Sequence, residues 1–324
     1  MNDLSITACS FHTRKKNKKG IEGICSLNRP SVYKDKETKE EIEFLNFMEI
    51  FIDFWKKYGE YNNSIEEQKL FAFDQDVKIE GEEKDYKYFM GKINSGAYGV
   101  ESEITDIETN EVVHKKKGNE ADIKQFYFFI AIPKENEKYE VEKGIIIFQN
   151  IGVYGVKTIT MDYLKTYLGK YFDTSIYSGN ICPEVFVERL IKDNTINKLI
   201  VVKNNISEDV SDNIGIGYGK QEVSYSKLMM KDSMKEKLIN FVKNRNRIFE
   251  LEDTKYDQVK VNVVDASGRI RTINLNYVDN LSVIESVPRE IRMANGYPDQ
   301  EKLLEHFKKV TNEYMEKMIF KVTN

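Results

Sequence analysis

The sequence predicts an α+β fold: an antiparallel sheet with packed helices, followed by a smaller helix–β-hairpin–helix domain. Three observations predict it. Strand-length apolar or alternating segments follow one another at 70–73, 86–93, 111–114, 124–132, 144–149 and 153–159, and Asn150-Ile151-Gly152 forms a short loop between the last two that favours antiparallel pairing. In 259–277, VKVNVVDASGRIRTINLNY, Val259, Val261 and Val263 alternate with Lys260 and Asn262. The chain then turns at Asp265-Ala266-Ser267-Gly268 and returns with Ile273, Leu275 and Tyr277 on one face, a hairpin with Arg269 and Arg271 beside its turn. Finally, Leu303, Leu304, Phe307, Val310, Tyr314, Met315, Met318 and Ile319 recur at three- and four-residue steps, as on a long helix with one buried face.

The elements follow in order. Residues 4–12 alternate and read as a first strand, and Arg14 to Lys19 as a basic loop. Thr38-Lys39-Glu40-Glu41 fits a capping box, opening a helix to about Lys57 with Gly59 beyond its end. Its two aromatic and aliphatic stripes, Phe44/Phe47/Phe51/Phe54/Tyr58 and Leu45/Met48/Ile52/Trp55, predict packing on two sides, within its own domain or against a second subunit. The continuously apolar runs 126–132 and 145–148 predict central strands. Thr160 caps a helix stopped by Gly169, a strand spans 175–181, and Pro183 opens a helix to about Lys192 ahead of a strand at 196–202.

The acidic, then Gly-rich stretch 207–219 predicts the domain boundary, giving domains at 1–206 and 207–324. Residues 221–228 alternate as a strand. Ser233-Met234-Lys235-Glu236 caps a helix that buries Leu238, Ile239 and Val242 and ends in Lys243-Asn244-Arg245-Asn246-Arg247.

A net charge of −4 and a pI near 5.7 exclude bulk polyanion binding, so nucleic-acid contact requires a local basic patch. Cys9, Cys25 and Cys182 are odd in number, which predicts no disulfide scaffold and a reducing, cytoplasmic setting. No signal peptide and no membrane-spanning run are expected.

No catalytic constellation is visible, which leans the reading away from an enzyme and predicts no cofactor. Cys9, His12 and Cys25 fit no zinc spacing. Gly215-Ile216-Gly217-Tyr218-Gly219-Lys220 is followed by an alternating segment, not by the helix a phosphate cradle needs, and reads as a flexible loop. Of three Asp-x-Lys triplets, only Asp122-Ile123-Lys124 runs into a core-like strand. It carries the rival reading of a metal-dependent nuclease effector.

The basic groups are the remaining signal. Six of the nine arginines fall between Arg245 and Arg292, and arginine suits bidentate contact with phosphate. Lys243, Arg245, Arg247, Arg269 and Arg271, together with Lys115, Lys116 and Lys117, are the candidate phosphate contacts.

The order of elements across 144–324 resembles that of the RexA-like phage-exclusion proteins of lambdoid phages. The likeness runs through GIIIFQNIGVYGVKTI, MDYLKTYLG, CPEVFVERLIKD, KLIVVKNN, MKEKLINFVKNRN, QVKVNVVDASGRIRTINLNY and EHFKKVTNEYMEKMI. The resemblance implies a dimeric, non-enzymatic protein that binds double-stranded DNA largely without sequence preference and senses or signals phage infection. A membrane or nuclease effector would then be a separate polypeptide. A third reading is a protein-binding scaffold acting through the wide apolar face of the 38–58 helix.

Overall fold

The computed structural model describes residues 4–16, 20, 22–34, 41–135, 140–182, 184–204, 219–244, 248–251, 254–264, 270–280 and 284–319. In chain order the first elements are strands β1 (Leu4–Lys16), β2 (Glu22–Ile24), β3 (Ser31–Lys34) and β4 (Glu41–Phe44), then helix α1 (Phe47–Lys57). Strands β5 (Asn62–Ser64), β6 (Lys69–Glu82), β7 (Tyr86–Ala97), β8 (Ser102–Thr105), β9 (Val112–Lys116), β10 (Lys124–Pro133) and β11 (Gly144–Ile151) precede helix α2 (Lys157–Phe172) and strand β12 (Thr174–Asn180). Next come α3 (Glu184–Asp193), β13 (Thr195–Lys203), β14 (Gln221–Ser226), α4 (Asp232–Lys243), β15 (Phe249–Leu251), β16 (Thr254–Tyr256), β17 (Gln258–Val264) and β18 (Ile270–Asn274). Strand β19 (Ile284–Ser286) and helix α5 (Gln300–Ile319) close the chain. The fold is α+β, with antiparallel sheets and packed helices.

Two compact units result: Met1–Gly179 with Val283–Asn324, and Asn180–Ser282. The first is built on a sheet in the order β12-β1-β11-β10-β7-β6-β5, with β2 and β19 also paired to β1. Adjacent residues of β10 explain the layering. The Phe128 ring meets Phe51 of α1 at 5.7 Å, whereas the Phe129 ring meets Phe307 of α5 at 5.6 Å. Helices therefore cover both faces, and β10 and β11 are apolar at consecutive positions because neither face meets water.

Helix α1 starts at Phe47, not after Thr38, which lies outside the described residues. Residues 41–44 form β4 and pair with β3. The cap is Asn46, whose Oδ1 accepts the Glu49 amide at 3.1 Å while Glu49 reaches back to the Leu45 amide at 2.8 Å. Both sides of the helix are used inside the first unit. Phe51 packs on the sheet rings Phe73, Phe89 and Phe128, and Phe54 packs on Tyr167 of α2 at 5.4 Å. The Lys57 ammonium donates to the Tyr33 hydroxyl of β3 at 2.7 Å and lies 3.7 Å from Asp53, which accepts from Tyr167. The apolar face read as a scaffold surface is thus covered by its own chain, with Phe51 fully buried.

The expected hairpin after β11 is replaced by a single bridge between Ile151 and Tyr154, because β11 pairs instead with β1 and β10. Helix α2 then begins at Lys157 and runs through Gly169 to Asp173, which adopts left-handed backbone at the C-cap. A mid-helix glycine costs about 1 kcal/mol; burial of Tyr167, Leu168 and Phe172 offsets it.

The division at 206/207 does not match the contacts. Strand β13 pairs with β17 and so joins the second unit, while β19 pairs with β1, and α5 packs on β10, in the first. The β17–β18 hairpin forms with Val259, Val261, Val263 and Ile273 buried, as its alternation predicts, but as half of a four-stranded sheet ordered β14-β13-β17-β18. Helices α3 and α4 pack on each other in this unit, burying Val187, Ile191, Leu238 and Val242.

Candidate nucleic-acid interface

The basic residues singled out from sequence fall in different units. Lys243, the last residue of α4, lies 2.8 Å from Glu188 of α3. Arg245, Arg247 and Arg269 lie outside the described residues, and Arg271 occupies the β18 position opposite Val263. Lys115, Lys116 and Lys117 sit on or just after the β8–β9 hairpin of the first unit. Local acceptors engage them there. Lys115 pairs with Glu103 at 3.1 Å, and Lys116 donates to the carbonyls of Ala97 and Val100 at 3.3 and 3.5 Å. Glu120 accepts the Lys117 amide and lies 2.9 Å from His114.

The nuclease reading finds no support in side-chain geometry. Asp122 is tied to Lys124, whose ammonium also lies 4.8 Å from the Tyr154 ring centroid. Among the described residues there is no group of three His, Cys, Asp or Glu side chains placed to hold a metal. Cys9 and His12 lie on opposite faces of β1: the buried Cys9 thiol donates to the Ile146 carbonyl at 3.6 Å, and burial pushes its pKa up to about 11.

A different cationic group forms at the β1–β12 edge. Alternation along β1 sends Cys9 and Phe11 toward α1 and puts His12 and Arg14 on the other face. Strand β12 lies alongside, with the Ser10 hydroxyl donating to the Gly179 carbonyl at 3.3 Å. Tyr177 of β12 stacks on His12 at 5.4 Å between centroids, with 15° between the ring planes. The Arg14 guanidinium carbon lies 5.4 Å from the same ring, a cation–π arrangement. Lys143, exposed just before β11, completes the group.

His12 has a lowered pKa: burial is the largest cause, Arg14 and Lys143 lower it further, and Glu142 opposes them. His12 is therefore a neutral ring near pH 7, flanked by two cations. Among the described residues, neither Arg14 nor Lys143 is in an ion pair, and Arg14 Nε is buried with no hydrogen-bond partner. A guanidinium steadied on a ring, with a lysine nearby and no carboxylate paired to either, is arranged to receive an oxyanion. The sequence reading grouped Arg14 with a basic loop. Strand β1 in fact extends through Lys16, but residues 13–16, Thr-Arg-Lys-Lys, are all polar, so no apolar alternation in the sequence marked that continuation. Compared with known protein families and with curated proteins, the chain matches none.

Proposed function

We propose that this protein is a non-enzymatic, nucleic-acid-binding component of a phage-exclusion or other anti-phage defence system. It contacts the phosphates of double-stranded DNA largely without sequence preference. The observation that carries the binding reading is the Arg14–His12–Lys143 group beside Tyr177, two cations in no ion pair among the described residues and an aromatic ring, in a chain of net charge −4. Phosphate contact supplies affinity without reading bases. The second unit's candidate contacts, Arg245, Arg247, Arg269 and Arg271, stand on sequence grounds alone. The defence context is supported by the resemblance of 144–324 to RexA-like proteins.

Fluorescence anisotropy of a short labelled duplex, titrated across a salt series, tests the reading. Affinity should fall steeply with salt. The Arg14→Glu/Lys143→Glu double variant should bind about tenfold or more weakly, with the log–log salt slope reduced by about 1 per cation removed. Absence of binding at low salt overturns the function. Binding with an unchanged slope in the double variant overturns this site.

A further inference from the structure

We infer that the β8–β9 hairpin is a self-association arm that docks side by side with the same hairpin of a second copy of the chain. Among the described residues the hairpin pairs with no other strand, standing as a separate two-stranded sheet. Every residue from Gly99 to Lys115 is exposed except Asp106, which is half-buried. A lone hairpin of this kind is marginal in water. Its large apolar side chains are nevertheless turned outward: Val100, Ile104, Ile107, Val112 and Val113 are 68, 53, 94, 44 and 62% exposed. So dense a set of exposed aliphatics on one projection marks an interaction surface.

Charge decides the occupant. Acidic groups occupy β8 and the turn, at Glu101, Glu103, Asp106, Glu108 and Glu111; cations gather at the end of β9, at Lys115, Lys116 and Lys117. An acidic tip repels a polyanion, which argues against nucleic acid as the partner of this arm. The same segregation makes the arm complementary to itself. A two-fold axis through Val113 sets the outer edges of two β9 strands antiparallel. Val113 then meets its counterpart, and Glu111 of each copy lies opposite Lys115 of the other, an isologous contact. The β8–β9 register shifts between Ile104 and Thr105 and leaves Val113 as the extra residue of a bulge, so the contact between copies is made by side chains and not by a shared ladder. The Glu103–Lys115 pair is solvent-exposed on both sides, so it holds Lys115 only weakly.

Sedimentation of the full chain at concentrations on the order of 100 µM, where small interfaces still associate, tests the arm. Wild type should be dimeric and Val113→Asp monomeric, with an unchanged thermal melt because the site is exposed. Glu111→Lys and Lys115→Glu should each weaken the dimer through like charges. Mixing these two variants should give heterodimers, since both cross-contacts then become attractive. A monomeric wild type, a Val113→Asp variant that stays dimeric, or a mixture that fails to associate overturns the inference.

Discussion

His306 of α5 has its Nε2 buried without a hydrogen-bond partner. Its pKa is lowered, first by burial and then by Lys309, with Glu313 and Glu290 opposing. Protonation is therefore easier in the unfolded chain, whose histidine titrates near ~6.5. Above that pH the residue contributes no pH dependence. As pH falls through it, the unfolded state takes up the proton first and stability drops until the lower folded value is passed. The thermal midpoint should fall between pH 7 and pH 5, and His306→Gln should flatten that fall. An identical pH profile for the variant would remove His306 as its source. The same logic makes His12 useful at the proposed phosphate site, where it can stack on Tyr177 at neutral pH without adding a third charge to Arg14 and Lys143.

Helix α1 shows what an element owes to its surroundings. Phe51 touches rings on three strands of the sheet and is fully buried, while Leu45, just before the cap, is 61% exposed. In urea denaturation, Phe51→Ala should cost about 3–5 kcal/mol; Leu45→Ala should change stability by less than ~0.5 kcal/mol. Comparable losses at the two positions would contradict the packing. The two-sided burial of this helix was legible in its twin stripes, but its start was not. Thr38-x-x-Glu41 and Asn46-x-x-Glu49 both satisfy the capping pattern, and the pairing of 41–44 with 31–34 decides between them, a contact no local pattern encodes. The central strands were legible for the opposite reason: a run such as 126–132 can only be satisfied by cover on both faces. The cationic group at β1 and β12 joins residues 12, 14, 143 and 177, and only strand pairing brings these together.

At the scale of the whole molecule, the first unit is discontinuous: its last strand and last helix follow the entire second unit. Sequence order alone assigned them to a C-terminal domain, because nothing local distinguishes a helix that packs nearby from one that returns to a distant sheet. A chain ending at residue 280 would lack β19 and α5 and lay bare the sheet face of Tyr88, Phe129 and Ile147. Such a truncation should bind a hydrophobic dye and aggregate, whereas Asn180–Ser282 keeps all its own ladders. A soluble truncation with a native-like melt would show that α5 is dispensable.

The placement of α5 also bears on synthesis. As the chain leaves the ribosome, the strands of the Asn180–Ser282 segment are all out before the final helix that shields the first sheet has been made. Domains generally fold as units as they emerge, so the later-encoded segment can be finished while the earlier one still waits with an uncovered flank. Nascent chains stalled inside residues 284–319 are thus where holdase chaperones should engage this protein most strongly.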